Sequence, residues 1–222
     1  MFLGHFGAGF SAKKIDQRPS LGTLFLAAQW LDLIYPILLL LGIEKVRIDP
    51  GNTAFTPLDF TYYPYTHGFL SVLIWAAMFG GIYYLVKKNT KGALLLAGLV
   101  ISHWILDWIA HRPDLPLVPG LDYKVGLGLW NSVMATVMVE GFIFLVGVIL
   151  YFRVTEAINW KGTWGLWGLI IFFIVIYIMN LFGPPPPGVE PIAYVGIAQW
   201  LFVAWAYWID KNRRPRAASP LT

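Results

Sequence analysis

The chain has 222 residues, 58% of them apolar, 17% aromatic and only 13% charged, where a soluble domain carries about a quarter of charged residues. That composition excludes a soluble globular protein and describes an integral membrane protein, whose net charge of +4 reports membrane topology and not nucleic-acid binding. Without Cys there is no disulfide framework, thiolate site or cysteine nucleophile, so any metal must rest on His, Asp and Glu.

Met1–Ala12, MFLGHFGAGFSA, is apolar and glycine-rich and then meets Lys13, Lys14 and Arg18. No basic region precedes its apolar part, which argues against a cleaved signal peptide. It is also shorter than the roughly 20 residues a crossing needs. It holds His5, and two readings are open. The segment is a disordered terminus, or it dips into the bundle, which requires protein to cover its backbone.

Six runs follow that are long enough to span: Leu21–Leu41, Thr66–Val86, Gly92–Ala110, Leu127–Phe152, Thr163–Phe182 and Ile192–Ile209. The expected fold is an all-α polytopic membrane protein, six transmembrane helices plus the short amino-terminal segment. Residues 1–210 form one helical domain, and 211–222 a basic, disordered tail. Twelve of the sixteen Lys and Arg fall in the tail and alternate connections when both termini are cytoplasmic, leaving Lys45, Arg47, Arg112 and Lys124 outside. That split follows the positive-inside rule. The outer loop Gly42–Tyr65 reads as an ordered cap, Arg112–Gly126 as a turn-rich lid, and Gly183–Pro191 as a stiff polyproline connector.

Polar residues inside the apolar runs carry the functional signal. In Ser102–Pro116, SHWILDWIAHRPDLP, His103, Asp107 and His111 stand at i, i+4 and i+8, one stripe of a helix. Counting about 1.5 Å per residue from the cytoplasmic edge puts Asp32 and His103 about 18 Å deep, Glu140 about 20 Å and Asp107 about 24 Å. His67 and His111 come out at the outer interface, about 30 Å from the inner edge, and His5 can reach about 12 Å from within. Ionisable groups at such depth need partners or a metal. Neutral imidazoles with carboxylates are ligands for zinc and its neighbours. The plainer reading is helix glue: Asp32 paired with Gln29, and Glu140 protonated on a polar face with Ser132 and Thr136. Gln199 and Asn180 read as interhelical hydrogen-bond formers.

Gly4-His5, Asp32, Thr66-His67 and His103-x-x-x-Asp107, in that order, resemble the YdjM-like inner-membrane family of metal-dependent hydrolases, distantly like zinc-dependent phospholipase C and P1 nuclease. The resemblance covers about the first half of the chain. It departs in having the single Asp32 in QWLDLIYP, where the family tends to two aspartates, and in YPYTHG, which lacks a preceding His or Arg. It implies a bacterial inner-membrane protein in which His5, Asp32, His67, His103 and Asp107 bind one or two divalent ions, zinc by the donor mixture. Asp107 and Glu140 would serve catalysis, Glu140 as general base or as a group orienting a ligand His. His111 and Arg112 have no counterpart in the family's pattern; at the outer surface they would hold an anionic headgroup, Arg112 bidentately, and a site in the outer half of the bilayer suggests a membrane lipid or lipid-linked phosphoester or ester as substrate. Two alternatives stand beside it: a non-enzymatic subunit or scaffold fastened to other membrane proteins, and an ion or metal transporter.

Overall fold

The computed structural model describes residues 1–216. The amino-terminal segment is the helix α1 (Leu3–Ala12), and nearly all of it is buried. The first span is broken into α2 (Leu21–Ala28) and α3 (Trp30–Leu40), which meet at Gln29 at an angle of 56°. After α3 the chain forms an antiparallel ribbon of β1 (Lys45–Ile48) and β2 (Leu58–Tyr62). A single turn, α4 (Pro64–His67), precedes the long helices α5 (Phe69–Lys87) and α6 (Thr90–Ala110). Next come a two-residue ribbon of β3 (Leu115–Pro116) and β4 (Lys124–Val125), then α7 (Val133–Val154), β5 (Thr155–Ala157) and α8 (Trp160–Phe182). The last span is α9 (Val189–Ala198) with α10 (Trp200–Asp210), and β6 (Arg213–Pro215) closes the described chain.

Among the described residues, five helices are long and apolar enough to cross a membrane, six when the bent α2–α3 pair counts as one span. The architecture is therefore the expected all-α polytopic bundle. Its outer faces carry bare apolar side chains, among them Val86, Leu94, Met134, Phe142 and Phe182, which lipid satisfies.

Several boundaries differ from the sequence reading, each for a local reason. Gly68 is extended and separates α4 from α5, so His67 does not ride on the long helix. Gly128, at φ +76°, and a 3-10 turn over Leu129–Asn131 delay α7 until Ser132, whose hydroxyl accepts the Ala135 N–H as a cap. The polar stripe above Glu140 belongs to that helix start, because Thr136 Oγ1 bonds back to the Leu129 and Ser132 carbonyls. Beyond Asp210 the first part of the basic tail is ordered: β6 pairs with β5, and the buried Arg213 binds Thr155 and the Gly162 carbonyl. The rest of the tail, from residue 217, lies outside the described residues.

The connections sort to two ends. Lys13 reaches Asp210, Asn89 reaches Asp16, and β5 meets β6, so the segments rich in Lys and Arg gather at one end. Burial pushes the Asp16 carboxyl up, but hydrogen bonds from Arg18 and Asn89 outweigh it and hold the group at about 2. The two other ribbons, the 3-10 turn and the Asp59–Arg112 pair lie at the opposite end.

Helix α1 is held chiefly by α7, with α2 and α6 closing round it. The contact with α7 is backbone to backbone. A Cβ added at Gly147 would lie 2.2 Å from the Gly7 carbonyl oxygen, and one at Gly7 would lie 2.7 Å from that of Ile143. Only glycine permits that approach. Phe6 and Phe10 then fill the core with Phe25, Phe144 and Phe173.

Two outcomes follow from this packing. Cysteine labelling at Lys88 and in the Gly183–Pro191 connector will place them on opposite sides of the membrane, the first cytoplasmic; the reverse result inverts the charge-based orientation. Gly147→Val will displace α1 and destabilise the protein by about 1–3 kcal/mol, as overpacking does, read as a lowered midpoint of thermal unfolding in detergent, whereas Gly141→Val, with open space around its Cβ, will leave it near wild type.

Candidate metal centre

The break between α2 and α3 sets the first distance of the centre. Ala28 is the last residue of α2, and a helix end leaves carbonyls without intrahelical partners. His103, from the middle of α6, donates its Nδ1–H to the Ala28 carbonyl at 2.7 Å. A carbonyl can only accept, so Nδ1 carries a proton and Nε2 is the nitrogen left to take a metal or a second proton. That nitrogen lies 3.1 Å from Asp107 Oδ2 and 3.7 Å from Asp32 Oδ1, yet makes no hydrogen bond.

His67 arrives from α4 in a similar state. Its Nδ1 is 2.8 Å from Thr66 Oγ1, whose own proton goes to Glu44 Oε2 at 2.7 Å. The Trp104 indole holds the His67 carbonyl at 2.9 Å and so ties α4 to α6. His67 Nε2 then faces Asp32 Oδ1 at 3.5 Å and Asp107 Oδ2 at 3.6 Å. Each of the two Nε2 atoms thus lies 3.1–3.7 Å from both carboxylates, with the four atoms supplied by three helices. A tetrahedral ion with bonds near 2.05 Å sets its donors about 3.4 Å apart. Acceptors that close repel one another unless a proton or a cation stands among them, and the orphaned His103 nitrogen marks the place. The donor set fits a divalent ion of the zinc type.

His5 approaches from the other face of Asp107. Its ring stacks on His103 with centroids 3.6 Å apart, and its Nε2 lies 3.0 Å from Asp107 Oδ1. The Met1 amine donates to the same oxygen at 2.5 Å. Asp107 therefore turns one oxygen toward α1 and the other toward His67 and His103. Two overlapping groups could hold an ion, one of His5, His103 and Asp107, the other of Asp32, His67 and His103. Both draw on the single free nitrogen of His103.

All five of the side chains expected as ligands by sequence thus meet at one place. The polar partners of the other site residues lie elsewhere. Glu140, fully buried on α7, accepts the Gly4 N–H through Oε2 at 3.3 Å, while its Oε1 has no partner among the described residues. Its hydrogen bond therefore secures the start of α1, and with it His5. Gln29 is not the partner of Asp32: both polar atoms of its side chain are buried without a hydrogen bond. Nor are the expected bonds of Gln199 and Asn180 formed in full, since Gln199 Oε1 is unpaired and Asn180 is exposed.

His111 leaves the stripe it was expected to share. Helix α6 ends at Ala110, and His111 turns extended as its cap. Its Nδ1–H donates to Asp114 Oδ1 at 2.9 Å, and its ring lies 4.1 Å from that of Trp130. Tyr63 donates its hydroxyl to the same Asp114 oxygen at 2.9 Å, and burial, with Asp114 beside it, pushes the phenol far above its ordinary range. Arg112 binds Asp59 and Asp114, and Arg47 shares Asp59 across the β1–β2 ribbon. Burial raises the Asp59 carboxyl, but the two guanidinium groups more than reverse it and leave it below its usual range. These groups make a second cluster at the loop end, beside a cavity of about 450 Å³ lined by Arg47, Asp59, Arg112 and Lys124. The Tyr63 ring stands between the two clusters, 5.3 Å from His67 and 6.0 Å from His111.

Sequence reasoning missed Glu44. It lies in a polar connection, outside every apolar run, so nothing in its surroundings marked it. Compared with protein-family models, with curated proteins and with solved structures, the chain matches none of them.

Replacing His103 by Ala removes the donor that both groups share, and replacing Asp107 removes the carboxylate that both His67 and His103 face. Wild-type protein purified without chelator and given zinc or manganese will carry about one ion per chain by mass spectrometry, and both variants, folded by circular dichroism, will fall well below that. Equal metal content in all three would dissociate these residues from metal binding.

Proposed function

We propose that the protein is a membrane-embedded, metal-dependent hydrolase of the YdjM-like kind, acting on a lipid-linked phosphoester or ester. The observation that carries the reading is the convergence of Asp32, His67, His103 and Asp107, with both imidazoles held at Nδ1 so that each turns its Nε2 to the carboxylates. The proposed ion is a single zinc held by these four, because His103 Nδ1 is spent on Ala28 and cannot serve a second. His5 flanks them through Asp107. A divalent ion at such a position acidifies a water molecule and polarises a phosphoryl or acyl oxygen.

The remaining work falls to the protein's own groups. Asp32 is 29% exposed, whereas His5, His67, His103 and Asp107 are at most 5% exposed, so Asp32 is the edge a substrate meets. Glu140 is the proposed proton acceptor, through its free Oε1, and Asp107 holds a proton relay toward His5. Arg112, half-exposed beside the outer cavity, is proposed to bind an anionic headgroup, exchanging part of its hold on Asp59. Apolar helix faces around the centre favour a substrate that arrives from the bilayer. The orientation proposed is that of a bacterial inner-membrane protein with both termini cytoplasmic, from the basic split.

The test is zinc-loaded protein in lipid micelles with a fluorogenic lipid phosphoester or ester. Wild type will turn it over, and Glu140→Gln will keep its metal while losing about 10²–10⁴ of the rate, as lost general bases do. A folded wild type that stays metal-free leaves a scaffold held by His–Asp pairs. Metal uptake into sealed vesicles without hydrolysis assigns a transporter instead.

A further inference from the structure

Glu44 is 1% exposed, yet it precedes β1 in a connection and belongs to none of the helices that supply donors. Its carboxylate is fully engaged. Oε1 accepts the Tyr65 and Thr66 N–H groups, each at 2.9 Å, and Oε2 accepts the Thr66 hydroxyl at 2.7 Å. Three donors converge on one carboxyl, which therefore acts as acceptor to all of them. A hydroxyl has one proton. Because that of Thr66 is given to Glu44, Oγ1 is left to accept from His67 Nδ1–H at 2.8 Å. The chain of bonds ends by deciding which His67 nitrogen is bare: Nε2, the one facing Asp32 and Asp107.

We propose that Glu44 is a positioning residue which, through the Thr66 hydroxyl, fixes the tautomer and orientation of His67 toward the metal centre. The inference rests on the metal-centre reading for its consequence, but the tautomer itself does not depend on a metal. Ligand imidazoles are commonly oriented by a carboxylate or carbonyl on the far nitrogen. Here His103 uses a carbonyl directly, and His67 uses a carboxylate at one remove. The backbone amides of Tyr65 and Thr66 also need an acceptor, because they open the one-turn helix α4. One carboxylate thus shapes the turn and sets the ring it carries.

The substitution Glu44→Gln tests the relay by reversing it. The glutamine oxygen goes to the two backbone amides, and its NH₂ is left to donate to Thr66 Oγ1. The hydroxyl proton then turns to His67 Nδ1, and the ring must carry its proton on Nε2, pointed at the carboxylates. Two readouts on the full-length protein separate the relay from the metal centre. In metal-free protein, ¹⁵N-histidine NMR will show His67 protonated on Nδ1 in wild type and in Thr66→Ser, and on Nε2 in Glu44→Gln. With cobalt(II) as the probe, Glu44→Gln and Thr66→Val will weaken binding about 10–100-fold and shift the visible absorption, while Thr66→Ser restores both. On a His67→Ala background Glu44→Gln will add nothing. An unchanged His67 tautomer in folded Glu44→Gln overturns the proposal, as does an equal loss of affinity with and without His67, which would mean a structural role only. Wild type that binds no cobalt sinks the metal centre, and the NMR tautomers then decide the relay alone.

Discussion

A carboxylate enclosed by apolar helices loses the water that stabilised its charge, and the loss must be made good by donors or a cation at contact distance. Asp107 is such a group, 2% exposed in the middle of the bundle. The Met1 amine and His5 meet one of its oxygens, and His67 and His103 meet the other. Removing a partner from a buried pair of this kind typically costs about 3–5 kcal/mol. Much of the irregular architecture delivers those partners. The dipping helix α1 brings His5, the break at Gln29 frees a carbonyl for His103, and the single turn α4 carries His67 in from the loop end.

Each delivery has its own structural condition. Helix α1 is too short to span and sits inside the protein, so its backbone must be covered on every side, and glycines at 7 and 147 let α7 come close enough to do it. Glu140 then takes up the Gly4 amide at the start of the helix. The two polar clusters remain distinct but touch through Tyr63, whose neutral phenol is spoken for by Asp114. The outer charges are thereby tied into an ordered cap, apart from the inner donors.

The spans were legible because apolar length is a direct consequence of bilayer thickness, and the five converging side chains were legible because an ionisable residue in such a run has few ordinary reasons to be there. Boundaries were less so. The delay of α7 depends on a left-handed Gly128 and a serine cap, and the isolation of His67 on α4 depends on one extended glycine, neither of which breaks the hydrophobic run. His111 was misread because helical spacing was carried one residue past the end of α6. Glu44 was invisible for the opposite reason: an acid in a polar connection is unremarkable until folding buries it. The order of Arg213 beside Thr155 could not be foreseen from a basic tail, because its partner lies on another connection.

The uneven exposure of the five side chains has a kinetic meaning. With four of them sealed and only Asp32 reaching the surface, an ion held among them would meet its surroundings at that one carboxylate. Such a centre would gain and lose its ion slowly however tight or weak its equilibrium affinity.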